Sequence, residues 1–353
     1  MIQSIQIPRF GDTKSLELVD QTRPHLFLEG VRIQVKAIGI NFADIMMRMG
    51  LYPEAPQTPF VPGYEVSGVV LEVGAAVQGI LPGDRVLAGT RFGGYSSEVV
   101  VPAYHVRRIP NGLSFEEAAG IPVNFLTAWI ALQEMGRVRK GDRVLIPSAA
   151  GGVGSAAVQI AAQEGAHVIG VVGSSHKADC VKELGAAEVI TREEWEYEEK
   201  APRKDFQIIL DSSGGESLKR SYRRLAPGGR LIHFGASELV SGPKRSLTRI
   251  LSFFLNTSLF TTYRLMMDNR GIFGLNMLQL FQEPSPEQYN PLDTAFDQLL
   301  KKFEHRQYRV LIGKTFPLAQ ADEAHAYLQS RQSIGKVILT PSPSAGLQTT
   351  LVD

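Results

Sequence analysis

Cys180 is the only cysteine among 353 residues, and that scarcity removes several readings at once. The chain cannot build an internal disulfide framework, nor any zinc site made of several thiolates. An excess of one charge is missing too, since 37 Lys and Arg face 36 Asp and Glu for a net of +1. Nucleic acid, whose binding is dominated by phosphate charge, is therefore not an expected partner. No run reaches the ~18 uninterrupted apolar residues of a membrane-spanning helix. The opening MIQSIQIPRF lacks the basic-then-apolar pattern of a secretory signal. With 44% apolar and 21% charged residues, the expectation is a cytoplasmic globular protein of two domains, at roughly 100–200 residues each.

What is present divides along the chain. In the first third, the runs VRIQVKAIGI, GYEVSGVVLEVG, GDRVLAG and YSSEVVVP are separated by Gly, Pro and Asp, which reads as a compact all-β unit. From Ser114 the stretch FEEAAGIPVNFLTAWIALQEMG has helical spacing, with Ser114 as N-cap and Glu116 and Glu117 where the helix dipole favours them. From Asp142 the strands RVLIPSA, HVIGVVG, EVIT, FQIILDSSG, GRLIHFGA and GIFGLNM alternate with helical SAAVQIAAQEG and HKADCVKELG. That alternation predicts an α/β unit with a parallel sheet covered on both faces. Beyond Met277 follow a helix at 293–304, a strand RVLIGKTFP, a helix AQADEAHAYLQSR, a strand KVILTP and a frayed tail SPSAGLQTTLVD.

One turn carries chemistry. In RVLIPSAAGGVGSAAVQ a strand runs into a helix through Ala149, Ala150, Gly151, Gly152, Val153 and Gly154. This is a dinucleotide phosphate turn with alanine in the first glycine position; Gly151 admits the pyrophosphate and Gly154 lets the helix close on the strand. Ala150, Gly151, Gly152 and Val153 are thus candidate cofactor contacts. The next strand ends in Gly173-Ser174-Ser175-His176-Lys177, where NAD sites carry an acid. Hydroxyls and a lysine favour the 2′-phosphate of NADP(H), with Gly173, Ser174 and Lys177 around it. The competing reading of Lys177 is a solvated helix residue.

The segments GINFADIMMRMGLYP (39–53), PGYEVSGVVLEVG (62–74), GDRV (83–86), AAGGVG (149–154) and IGKVIL (334–339) carry a resemblance. With them the chain resembles the zinc-free quinone oxidoreductase branch of the medium-chain dehydrogenase/reductase superfamily. GASELVSGPKRSL (235–247) is similar to the vesicle amine transport protein subgroup. The resemblance implies a GroES-like β-rich catalytic domain in two pieces, 1–123 and 278–353, split by a Rossmann doubly wound domain, 124–277, with NADP(H) in the cleft. Zinc-dependent members place a Cys and a His-Glu pair where this chain has Asn41 and Tyr64-Glu65, so no metal is expected.

The activity implied is hydride transfer to a quinone or an activated alkene or carbonyl. By the same analogy Asn41 lies by the nicotinamide and donates to the reduced oxygen, the alternative being a turn-stabilising Asn. Tyr52 lines the cleft mouth as a proton donor or simply packs there, and solvent can protonate the product without it. Thr127 meets the nicotinamide amide or is an ordinary helix threonine. Phe234, Gly235, Gly274 and Leu275 frame the ring, Lys336 faces the cleft, and Arg192 stands where the family often has a Tyr beside the adenosine phosphate. Asp44 caps or pairs locally, Cys180 is inert, and GIFGLNM pairs with its twin in a homodimer.

A rival lies in 247–267, LTRILSFFLNTSLFTTYRLMM, flanked by Lys244, Arg245, Arg249 and Arg264. As an amphipathic element it could meet anionic lipid. A helix packed over the cleft or in a dimer contact is favoured, because Asn256 and the threonines interrupt the apolar face. A non-catalytic NADPH-binding redox sensor is the third possibility.

Overall fold

The computed structural model describes residues 1–197, 204–240, 242, 246–257, 260–281 and 290–342. Lys244, Arg245 and residues 343–353 of the tail lie outside them. In chain order the strands are β1 (Ile2–Gln6), β2 (Glu17–Gln21), β3 (Gly30–Ile40), β4 (Glu65–Val73), β5 (Arg85–Gly89), β6 (Glu98–Pro102), β7 (Val106–Arg108), β8 (Arg143–Ile146), β9 (His167–Val172), β10 (Glu188–Thr191), β11 (Phe206–Asp211), β12 (Leu225–His233), β13 (Gly271–Gly274), β14 (Ile312–Pro317) and β15 (Lys336–Thr340). The helices are α1 (Phe42–Arg48), α2 (Phe115–Ala118), α3 (Asn124–Trp129), α4 (Gly152–Gln163), α5 (Ala178–Glu183), α6 (Arg192–Tyr197), α7 (Gly215–Arg224), α8 (Leu247–Thr257), α9 (Thr262–Asp268), α10 (Met277–Leu280), α11 (Pro291–Glu304) and α12 (Ala321–Gln329).

Two sheets organise these elements. The first is mixed, in the order β14-β15-β3-β4-β5-β7, with β6 also on β3. Val31, Ile33 and Val35 of β3 share its core with Val66 and Val70 of β4 and Val337 and Leu339 of β15. The second sheet is parallel in the order β10-β9-β8-β11-β12-β13. Its side chains alternate strictly: Val144, Ile146, Val168, Ile208 and Ile232 face α3 and α4, while Leu145, Ile169, Ile209 and Leu231 face Trp195, Leu218 and Tyr222 on the other side. Both faces are buried, which is why these strands read as continuous apolar runs. Strand order reverses between β8 and β11, and open α/β sheets bind ligands in the crevice at such a point.

The structure departs from expectation at the long helix after Ser114. Ser114 does cap, accepting from the Glu117 N–H at 3.1 Å, but α2 stops at Ala118 and α3 starts only at Asn124. Pro122 lacks an N–H and pushes Ile121 away from helical backbone angles. Past Trp129 the helix widens into a π-helical stretch, Ile130–Met135. α11 lies beside the second sheet's core. It packs on α3, with the Phe125 and Phe303 rings 4.8 Å apart.

The described residues of 247–267 include α8 and most of α9. Phe253 of α8 is buried close to Gly214, and Tyr222 donates to Asp268 of α9 at 2.8 Å. Outward-facing Leu251, Leu255, Tyr263, Met266 and Met267 are 62–67% exposed. Among the described residues no helix is long and apolar enough to cross a membrane.

Candidate active site

The glycine turn is built by two close approaches. Ser148 turns the chain out of β8 with φ +53°, and the Gly151 N–H closes back on Ser148 O at 2.8 Å. A Cβ on Gly154 would come within 2.2 Å of that same oxygen, so glycine is what lets α4 rest against the strand end. The Ser155 N–H donates to Gly151 O at 2.8 Å and opens the helix. The N–H groups of Gly152, Val153 and Gly154 have no intrahelical acceptor, and together with the helix dipole they form an anion-binding end. The lead-in to β15 is stitched onto this turn, with the Gly335 N–H donating to Ala150 O at 2.7 Å.

Directly beside it lies a buried polar knot. Lys336, 2% exposed, meets Glu65 Oε1 at 2.5 Å, donates to Asn41 Oδ1 at 2.7 Å and reaches Asn124 Oδ1 at 3.5 Å. The other Glu65 oxygen accepts the Val123 N–H at 2.7 Å. Asn41 Nδ2 donates to Glu65 Oε1 at 2.9 Å and to Gly39 O at 3.3 Å. The orientation of this amide follows from its partners, because a carboxylate only accepts and an ammonium only donates. Two expectations are corrected here. Asn41 sits beside the turn, but both its amide hydrogens are committed and neither is offered to a reduced acceptor. Lys336 turns its ammonium into the knot rather than into the open cleft.

Behind Asn41 the polar chain continues inward. Asp44 Oδ2 accepts the Asn41 N–H at 2.7 Å and the Tyr95 hydroxyl at 3.1 Å. Tyr95 also meets His325 Nε2 at 3.0 Å, and Arg48 approaches His325 Nδ1 at 3.3 Å and donates to Gln329 at 2.7 Å. Burial pushes the Asp44 carboxyl up to about 7, against the lowering effect of the Asn41 N–H and Lys336. Burial also holds His325 well below its ordinary value and brings Arg48 down to about 10. Neutral His325 thus accepts at Nδ1, donates from Nε2 to the Tyr95 oxygen, and Tyr95 donates on to Asp44. Among the described residues Asp44 Oδ1 has no partner.

The Tyr52 ring packs 6.3 Å from Tyr64, which lies 5.6 Å from Phe92. Burial raises the Tyr52 hydroxyl above its ordinary value, so it stays protonated. Thr127 is 4% exposed one turn into α3. At the ends of β11 to β13, the Phe234 N–H donates to Asp211 O at 3.0 Å and the Leu275 N–H to His233 O at 2.9 Å. Gly235 lies where a Cβ would come within 2.7 Å of Ser212 O, whereas Gly274 faces open space.

Toward the end of β9, exposed Gly173 and Arg192 line one open cleft with Glu193, Glu196 and Tyr197. Ser174 Oγ lies 3.1 Å from His176 Nδ1. Lys177 is the clearest correction. It is 5% exposed, and its ammonium donates to Arg331 O at 2.8 Å and Ser333 O at 2.9 Å. The segment before β15 passes over the start of α5 and takes up the charge expected for a phosphate. Lys177 is not a solvated helix residue either.

The structure therefore brings Asn41, Lys336 and the glycine turn together, and sets Gly173 and Arg192 apart at the far end. Glu65 and Asn124 were missed. Each left a signal: an acid opening an apolar strand, and a lone amide in the apolar run PVNFL. Buried polar groups need partners.

Residues 152–289 match the zinc-binding dehydrogenase family, and 29–111 match the alcohol dehydrogenase GroES-like domain. Parallel sheet, glycine turn and adjoining β-rich sheet define a medium-chain dehydrogenase/reductase, and the chain belongs to that superfamily. Within it, the chain is 34% identical over 345 residues to the synaptic vesicle membrane protein VAT-1 homolog of Danio rerio, covering 97% of this chain and 70% of that protein. The human VAT-1 homolog-like structure superposes with a TM-score of 0.81 at 27% identity, covering 97% and 99% of the two chains. A quinone oxidoreductase from Thermus thermophilus, solved also in complex with NADPH, is 34% identical with a TM-score of 0.76, covering 96% and 99%.

Proposed function

We propose that the protein is an NADPH-dependent, metal-independent reductase that delivers hydride to a quinone or an activated alkene or carbonyl. The observation that carries this reading is the saturated knot of Asn41, Glu65 and Lys336 beside the glycine turn. Glu65 spends both oxygens and Asn41 both amide hydrogens inside the protein, so neither a metal ligand nor a donor for an alkoxide is left there. Bound NADPH supplies the hydride. The N–H groups at the head of α4 hold its pyrophosphate, Arg192 and Ser174 lie toward its adenosine phosphate, and Tyr52, Tyr64 and Phe92 give a flat acceptor an apolar wall. An electron-poor acceptor reduced there takes its proton from solvent.

In this reading 1–123 and 278–353 form the catalytic domain and 124–277 the cofactor domain. A homodimer through β13 is supported by the place of that strand at the sheet edge, with Phe273 40% exposed. Absorbance of reduced nicotinamide, followed across a panel of quinones and enones before and after chelation, tests the activity. No consumption with any acceptor would leave the NADPH-binding redox sensor in its place. The exposed apolar residues of α8 and α9 support a second reading, peripheral contact with anionic lipid. Sedimentation with anionic liposomes, abolished by charge reversal at Lys244 and Arg245, would favour it.

A further inference from the structure

Asn124 opens α3 and is 4% exposed, an unfavourable place for an amide unless its polar atoms find partners. Its oxygen has one, the Lys336 ammonium at 3.5 Å. Since an ammonium only donates, the amide atom that faces it is Oδ1, which leaves Nδ2 as the free donor. The whole amide lies over the first residue of α4: a Cβ on Gly152 would be 2.5 Å from Nδ2 and 2.8 Å from Oδ1. Glycine at 152 is what allows the amide to reach the turn. Among the described residues Nδ2 has no hydrogen-bond acceptor.

Beside it, at the head of a helix of twelve residues, the N–H groups of Val153 and Gly154 have no intrahelical acceptor. Asn124 Nδ2 and these N–H groups are donors, and their complement is an oxygen-rich ligand. We propose that Asn124 contacts the dinucleotide, its Nδ2 donating to an oxygen of the nicotinamide-side half, a phosphoryl or ribose oxygen carried over the turn. The half is chosen by position. Asn124 is tied through Lys336 to Asn41 of α1 and stands three residues before Thr127, whereas Gly173 and Arg192 mark the adenosine end at β9 and α6. This inference rests on the protein's being an NADP(H) binder and adds a residue that neither the turn motif nor the resemblance supplied.

Calorimetric titration of wild type, Asn124→Ala and Asn124→Asp with NADPH and with 2′,5′-ADP tests it. The second ligand keeps the adenosine half and lacks the nicotinamide half. Loss of one hydrogen bond to a charged or polar oxygen predicts NADPH binding weaker by about tenfold in Asn124→Ala. Asn124→Asp, which turns an acceptor toward the phosphates, weakens it further, while 2′,5′-ADP stays within about twofold in both. NADPH binding unchanged in both variants overturns the proposal. So does a parallel loss of both ligands, which would mark a distorted turn. Unfolding midpoints check that each variant folds, and the isosteric Asp variant, which keeps an acceptor toward Lys336, carries the test if the Ala variant does not. The readout is binding alone, so a wild type that binds NADPH but reduces no acceptor would sink the reductase reading and leave this one standing.

Discussion

Lys336 Nζ and Glu65 Oε1 meet at 2.5 Å with 2% and 0% of their side chains exposed, one from each end of the chain. Removing water from two charges is expensive, and the pair holds because Asn41, Asn124 and the Val123 N–H fill the remaining hydrogen-bonding positions.

Breaking one side should be far worse than removing both. Lys336→Met strands a buried carboxylate and is expected to cost about 3–5 kcal/mol, read from chemical denaturation. The double variant Glu65→Gln with Lys336→Met should recover most of that loss. Additive losses would show that the two charges are not coupled.

Asp44 makes stability depend on pH with a definite sign. Its folded value, about 7, lies above the ordinary 3.8, so the folded protein binds the proton more tightly than the unfolded chain. Its contribution is full below about 4 and is lost as pH rises to about 7. Asp44→Asn keeps an acceptor for the Asn41 N–H and removes the titration. Relative to wild type, the variant should gain on the order of 2–4 °C or more in Tm between pH 5 and pH 8. Parallel Tm curves for the two proteins would refute the assignment.

In the proposed reading Arg192, and not the buried Lys177, meets the 2′-phosphate. Arg192→Ala should lower the preference for NADPH over NADH by about tenfold. Lys177→Ala should shift that preference by less than about threefold and instead lower the unfolding midpoint, because it frees the carbonyls of Arg331 and Ser333. A collapse of the preference in Lys177→Ala with Arg192→Ala neutral would reverse the assignment.

Cys180 donates to Lys177 O at 3.1 Å, and burial raises its thiol. A serine keeps that donor. Turnover of Cys180→Ser with any accepted quinone should match wild type, and a folded but inactive variant would show a role for the thiol.

The two-sheet architecture was legible because periodicity and turn chemistry are local. The apolar runs of β8, β9, β11 and β12 announce a covered parallel sheet, and Ala149 to Gly154 announce the phosphate turn before any contact is known. What escaped was long-range. Lys336 reads as a cleft lysine until Glu65 is seen opposite it, and Lys177 as a phosphate ligand until the backbone at 331–333 arrives beneath it. Pro122 was visible but outweighed by helical spacing on either side. Side-chain orientation at Asn41 depended on three residues from separate elements, which no spacing rule connects.

β15 fills an interior position of the first sheet, between β14 and β3, and its first residue is Lys336. Until that strand inserts, β3 lacks its neighbour at residues 38–40, Glu65 has no cation, and the Gly335 clasp on Ala150 is open. During synthesis the glycine turn leaves the ribosome nearly two hundred residues before its clasp. A nascent chain can therefore fold its parallel sheet first, yet the cleft beside that turn is completed only by one of the last strands to emerge.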